Sequence, residues 1–371
     1  MTDLIENIPE ILLMGPGPSC VPEEVYEALR APTLGHLDPL FIEIMDETKE
    51  RLRLVMKTDN DLTFPVSATG SAGMEACLVN LIEPGDRVLV LVNGVFGGRM
   101  AEIARRLGAE VDTLDVPWGK PVDPAEVERV VSKREYKVVS VVHAETSTGV
   151  RNPVEEIGPI LKLRGALYVV DTVTSLGGID VRCDEWGVDA LYSGTQKCLS
   201  CPPGLSPVSF SQRALETIDR RKSKVPNWYL DMSLIKSYWE GKKRAYHHTA
   251  PINMIYALYR ALGLVQAEGL ENVFARHRKS HEHLAAGLRE IGIEMFVEPA
   301  FRLPMLNAVR VPDGVDEAAV RSRLRESHRI EIGAGLGPLA GKIWRIGLMG
   351  HTSKEENVDR LLGAMRKVLG R

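Results

Sequence analysis

The sequence predicts an α/β protein: a largely parallel sheet covered by helices on both sides, followed by a smaller α/β unit near the C-terminus. Three observations carry that reading. Between residues 87 and 171 short apolar runs alternate with amphipathic stretches. The runs are apolar at every position rather than at every second one, as expected of strands buried on both faces. With 371 residues, the chain is also too long for one ordinary domain and suits two.

The elements follow in order. Residues 63–67 form a first run, and a helical pattern over 74–82 follows a stretch of small residues. Residues 87–93 read as a buried strand, 98–107 as a helix ended by Gly108, and 110–115 as a strand. Residues 123–133 are helical, with Asp123 as N-cap and Pro124 at the first helical position. Residues 137–143 and 166–171 read as strands on either side of a helix over 154–163. A strand-like run from Ala190 ends in small polar residues. Residues 252–291 are helical, interrupted by glycines, and lead out of the large domain. Beyond them, 307–311, 330–332 and 343–348 read as strands and 318–329 and 355–369 as helices. Gly15-Pro16-Gly17-Pro18 separates an N-terminal arm, residues 1–20, from a large domain over 21–255; the smaller domain takes 256–371.

Composition excludes several classes. Hydrophobic residues make up 44% and charged residues 26%, and the formal net charge is -4, without the basic excess of a nucleic-acid binder. The runs Arg220-Arg221-Lys222 and Lys242-Lys243-Arg244 read as solvated faces. No apolar run is long enough to span a bilayer. The first ten residues are acidic and lack a cationic n-region, so neither a secretory nor a mitochondrial address is expected, and the C-terminal tripeptide is not peroxisomal. Five cysteines, an odd number, point to reduced thiols and a cytoplasmic location.

In open α/β sheets ligands bind beyond the carboxyl ends of the strands, so the residues after each run are the site candidates. Thr69-Gly70-Ser71 lies between a strand and a helix, where backbone N–H groups and hydroxyls suit a phosphate. The same residues serve as an ordinary turn with Ser71 as N-cap. Asp171 ends an apolar run; it is a carboxylate fit to keep a pyridine nitrogen protonated, or equally an N-cap or metal ligand. Lys197 follows Asp171 by 26 positions, enough for one connection and one strand back to the same sheet edge. A lysine there would have a depressed pKa and supply a neutral amine, although a lysine at a strand end commonly points into solvent.

Taken together, Gly15-Pro16-Gly17-Pro18, Glu145-Thr146-Ser147-Thr148-Gly149, Asp171-Thr172-Val173, Tyr192-Ser193-Gly194-Thr195-Gln196-Lys197 and Tyr246-His247-His248-Thr249 resemble the class V aminotransferases, most of all the alanine–glyoxylate and serine–pyruvate branch. The resemblance spans almost the whole chain. It implies a fold type I enzyme dependent on pyridoxal 5'-phosphate, with a mostly parallel seven-stranded sheet, working as a homodimer with shared active sites. By position, Lys197 would carry the coenzyme as a Schiff base and Asp171 would face its pyridine nitrogen. Val173 would pack on one ring face and Phe96, where many relatives have Trp, on the other. Thr69, Gly70, Ser71 and Gln196 would hold the phosphate, joined by Tyr246 and Thr249 from the second subunit. Thr146 would lie near the ring or substrate, Arg345 would bind the substrate carboxylate, and Pro16 and Gly17 would close over it.

The reaction this implies is amino transfer from alanine or serine to a 2-oxo acid, glyoxylate first. Gly35-His36-Leu37-Asp38-Pro39 resembles microbial members with other donors, so ureidoglycine–glyoxylate transamination is the alternative. Cysteine desulfuration needs a mobile cysteine in the second half of the fold, and none follows Cys201. A coenzyme-free binding protein is disfavoured by the joint presence of Lys197, Asp171 and Arg345. No metal site is expected: Cys198 and Cys201 lack a second pair, and His277, His281 and His283 read as a solvated helix face.

Overall fold

In a computed structural model, which describes residues 4–241 and 244–371, the apolar runs become the strands of one seven-stranded sheet. Met1 to Asp3 of the expected arm, and Lys242 and Lys243 of the second basic run, lie outside the described residues. In chain order the strands are β1 (Leu62–Val66), β2 (Arg87–Val92), β3 (Glu110–Asp115), β4 (Val138–Val142), β5 (Leu167–Asp171), β6 (Ala190–Tyr192) and β7 (Ser206–Phe210). Their order across the sheet is β1-β7-β6-β5-β4-β2-β3. β7 runs antiparallel to both neighbours, and the other pairings are parallel.

Position in the sheet explains the sequence patterns. β1, β4, β5, β6 and β7 are buried at every residue, which is why β4 and β5 read as continuous apolar runs. β3, with the sequence EVDTLD, is one of the two edge strands, and its charges guard that side. Asp112 there accepts from Arg134 at 2.9 Å and from Tyr136 at 2.7 Å. The helix Pro124–Val131 starts as expected: the Asp123 side chain accepts from the Ala125 N–H at 2.9 Å.

The C-terminal unit has its own antiparallel sheet, β8 (Leu306–Arg310), β9 (Gly333–Ala334) and β10 (Ile343–Gly347), with β10 in the centre. Leu284, Leu288, Val320, Leu324, Trp344, Ile346, Leu361 and Met365 form its core. The long helical stretch breaks into Ile252–Glu268 and Leu270–Glu290 at Gly269, whose φ of 84° is open to glycine at little cost. Residue 256, the expected boundary, lies within the first of these helices. Ile255, Leu258 and Leu262 of that helix join the core under the large sheet. The arm, first in sequence, packs with the last unit. Leu12–Leu13 pairs in parallel with Ile330–Glu331, and the Gly347 N–H donates to the Met14 carbonyl at 2.8 Å.

Single residues of two expected solvated faces turn inward. Arg221 Nη1 donates to the carbonyls of Val79, Asn80 and Ile82 at 3.2, 2.9 and 2.9 Å. It thereby caps the C-terminal end of the Gly70–Leu81 helix, where orphan carbonyls favour a cation. His277 is fully buried: its Nδ1 bonds the Val273 carbonyl at 2.7 Å and its Nε2 accepts from the Gly350 N–H at 3.0 Å. His281 bonds Asn307, and only His283, paired with Asp359, lies at the surface.

Candidate active site

At the carboxyl ends of the parallel strands a cavity of about 300 Å³ opens. It is lined by Thr69, Gly70, Ser71, Phe96, Thr146, Asp171, Val173, Gln196 and Lys197, nine residues singled out from the sequence that come from five separate segments. Sequence reasoning missed Met74, Arg99, Val142, Ala144 and Thr174, which line it too. Arg99 carried a signal: it lies three residues after Phe96, hence on the same helix face.

Asp171 is the last residue of β5, level with Val142 on one side and Tyr192 on the other. Its Oδ1 accepts from the Val173 N–H at 2.8 Å and its Oδ2 from the Tyr192 hydroxyl at 2.7 Å. Burial pushes its pKa up to about 7; those two hydrogen bonds and Lys197 act against the rise, and Glu145 adds to it. Among the described residues no cation forms an ion pair with this buried carboxylate, which is thus ready for a positively charged partner.

Lys197 does not point into solvent. The segment after β6 turns back, with the Ser200 N–H donating to the Lys197 carbonyl and the Cys201 N–H to Thr195. Ser19 of the arm also donates to the Lys197 carbonyl, at 2.8 Å. The lysine Nζ donates to the Pro16 carbonyl. Burial lowers its pKa to about 8, and the Arg345 charge pushes the same way against Cys198 and Asp171. Gly17, at φ 102°, lies so close that a Cβ there would stand 2.5 Å from the lysine Nζ. The arm thus needs glycine for its backbone and for the lysine it touches.

Arg345 belongs to the central strand of the small sheet and is 7% exposed, not a surface residue of an edge strand. Its Nε donates to the Ala334 carbonyl at 2.7 Å and its Nη1 to the Thr146 carbonyl at 3.2 Å, so it reaches across to the large sheet's side of the site. Burial lowers its pKa to about 10, with Glu145 opposing. Glu145 is itself buried. One of its oxygens accepts from the Phe96 and Gly97 N–H groups at 3.1 and 3.3 Å, the other from the Ser147 N–H and hydroxyl at 3.1 and 2.6 Å. This explains why the Val95–Arg106 helix starts three residues earlier than expected: a carboxylate from another segment caps its first turn.

The residues fit a phosphorylated pyridine aldehyde. The Gly70–Leu81 helix begins at the cavity, with Thr69 rather than Ser71 as N-cap and no side-chain capping bond, so its first N–H groups are free of partners inside the helix. Gln196 Oε1 is buried without a hydrogen-bond partner among the described residues. Tyr246 and Thr249 do not line the cavity of their own chain: Tyr246 is 60% exposed, its hydroxyl 3.4 Å from that of Thr249. Next to them His248 bonds Ser67, two residues before the phosphate turn, at 2.7 Å.

Comparison with known proteins agrees with this geometry. A family model described as Aminotransferase class-V matches residues 11–361. The alanine–glyoxylate aminotransferase of Drosophila melanogaster is 41% identical, covering 98% of this chain and 93% of its own length. The crystal structure of alanine–glyoxylate aminotransferase from Nostoc sp. superposes with a TM-score of 0.96 at 50% identity, covering 98% of this chain and 96% of that one. That of ureidoglycine–glyoxylate aminotransferase from Bacillus subtilis also gives 0.96, at 41% identity, covering 98% and 94%. With its sheet, its cavity and almost its full length accounted for in this way, the chain belongs to the class V aminotransferases, fold type I enzymes whose coenzyme is pyridoxal 5'-phosphate.

Proposed function

We propose that this aminotransferase moves an amino group from a small amino acid, alanine or serine, to glyoxylate. One observation supports the reading above all: an amine and a buried carboxylate, from Lys197 and Asp171, line one cavity, and the buried guanidinium of Arg345 bonds the carbonyl of Thr146, which lines it too, though all come from distant segments. The relatives named above act on glyoxylate by name, and a cavity of about 300 Å³ that also holds the coenzyme favours a small donor.

In this reading Lys197 Nζ, whose lowered pKa gives a neutral amine near neutral pH, holds the coenzyme and takes the proton from the donor's Cα. Asp171 would hold the proton on the pyridine nitrogen, with Val173 and Phe96 against the two ring faces. Thr69, Gly70, Ser71 and Gln196 would bind the phosphate. When bound, pyridoxal phosphate supplies an aldehyde that captures amines and a ring that withdraws electrons from the substrate carbon. Arg345 would bind the substrate carboxylate through its guanidinium, and the Pro16–Gly17 backbone would shield it from water. Thr146 lies between Arg345 and the cavity, where substrate and coenzyme would meet.

The working unit in this reading is a homodimer in which Tyr246 and Thr249 reach the partner's phosphate. In support, Leu37, Leu40, Trp228, Tyr229 and Tyr246 are exposed apolar residues around His36, His247 and His248. Among the described residues no helix is long and apolar enough to cross a membrane. Five unpaired cysteines suit the cytoplasm.

The test is a donor panel with glyoxylate as acceptor, joined to borohydride reduction and peptide mapping. Alanine or serine should turn over best and the label should sit on Lys197; a label on another lysine would sink the assignment. Ureidoglycine as donor is the second reading, favoured by the likeness to the Bacillus subtilis enzyme, and the same panel decides between them. Mixing Lys197→Ala with Tyr246→Phe/Thr249→Val chains tests the shared site. Hybrid dimers should regain activity in one of their two sites; mixtures no more active than either parent would reject it.

A further inference from the structure

We propose that Arg99 is a further ligand of the coenzyme phosphate, the one full positive charge in a cradle whose other members are neutral. The inference rests on the coenzyme assignment. A phosphate dianion taken into a partly buried cavity needs counter-charge. Thr69, Gly70, Ser71 and Gln196 bring hydroxyl and amide groups, and a helix N-terminus adds about half a charge. The other two cations at the site are committed elsewhere. Lys197 Nζ donates to Pro16, and Arg345 donates to the carbonyls of Ala334 and Thr146.

Arg99 lines the same cavity, and its Nη1 stands 3.4 Å from the Ser71 hydroxyl at the start of the phosphate helix. Its guanidinium lies over the Phe96 ring, 5.0 Å from the centroid, which sets the direction of an otherwise flexible side chain. Among the described residues no carboxylate lies within ion-pair distance of it, so its donors are available to an anion. The helix that carries it is held in turn: Glu145 caps the N–H groups of Phe96 and Gly97, one turn before Arg99. A planar guanidinium matches two phosphate oxygens where a lysine would offer a point charge.

The experiment compares pyridoxal phosphate with pyridoxal, which lacks the phosphate, on coenzyme-free wild type, Arg99→Gln and Arg99→Lys. Affinities come from equilibrium dialysis and from the absorbance band at roughly 400–430 nm of the lysine-bound coenzyme. Arg99→Gln should weaken pyridoxal phosphate about tenfold or more, equal to about 1.4 kcal/mol, while pyridoxal binds as before. Arg99→Lys should recover part of the loss. Equal weakening of both compounds would mean that Arg99 only shapes the Phe96 wall, and would overturn the proposal, as would no weakening of either. A wild-type protein that forms no band with pyridoxal phosphate would overturn the coenzyme assignment and this proposal with it. A normal wild-type band with unchanged Arg99→Gln affinity would overturn this proposal alone.

Discussion

The amine of Lys197 should titrate near pH 8 and should be held there partly by a residue 148 positions away, Arg345. Burial lowers its pKa to about 8, with the Arg345 charge as the next cause. At pH 7.5 such an amine is about a quarter neutral, against about one part in a thousand for an ordinary lysine, a difference of roughly two-hundred-fold in the reactive form. The perturbation is Arg345→Gln, which keeps most of the volume and removes the charge. Coenzyme-free protein is mixed with pyridoxal phosphate, and the rate of growth of the 400–430 nm band is followed from about pH 6 to 10, with Lys197→Ala as the blank. The wild-type rate should climb with pH and level off above about 8. In Arg345→Gln the midpoint should move up towards the ordinary lysine range, and capture at pH 7.5 should slow by about threefold or more. A wild-type profile with no bend below pH 9, or superimposable profiles for the two proteins, would refute the argument that burial and Arg345 set this amine.

Other perturbations follow from the same geometry. Asp171 has its folded pKa raised to about 7, so in the coenzyme-free protein it binds more protons than in the unfolded chain between about pH 4 and 7. Its contribution is therefore full below about pH 4 and is lost as pH rises through about 7. Asp171→Asn should gain on wild type by up to about 1 kcal/mol per pH unit over that window in denaturant titrations, and parallel curves would contradict it. Gly17→Ala should displace Lys197 and strain a backbone at φ 102°, costing about 1 kcal/mol or more and slowing coenzyme capture; calorimetry and the band read both. Glu145→Gln turns an NH₂ group towards donors on one of its two sides and should lower stability by about 1–3 kcal/mol. A melting temperature within a degree of wild type would show that those donors find other partners. Arg345→Ala should raise KM for alanine and glyoxylate by about 10²-fold or less with a smaller effect on kcat, and unchanged KM values would exclude the carboxylate role.

Much of the architecture is written locally. Residues 154–163 and 355–369 form the helices their patterns indicate, because burial along one stripe leaves a signature in neighbouring residues. Asp123 and Pro124 mark a helix start by chemistry that acts within four residues. Asp171 and Lys197 were legible as candidates because a polar group at the end of an apolar run stands out, whereas Gln196 entered only through the family resemblance. What lies in no local pattern is a contact between distant segments. Arg221 reads as a solvated cation until the carbonyls at the end of the Gly70–Leu81 helix come to it. His277 reads as surface until Gly350 donates to its ring. The Val95–Arg106 helix begins where Glu145, 50 positions after Val95, can receive its N–H groups. The arm pairs with Ile330–Glu331 of the last unit and presses Gly17 and Pro16 on Lys197, a meeting of the chain's beginning, middle and end.

The sequence by itself determined the sheet, most of its helices and the residue types the chemistry needs, since propensity, periodicity and motif spacing act over a few residues. Only the tertiary structure decided the charge state of those residues. Burial and neighbours from other segments set the pKa values of Lys197 and Asp171, and low-dielectric surroundings exist only once the chain has closed around them.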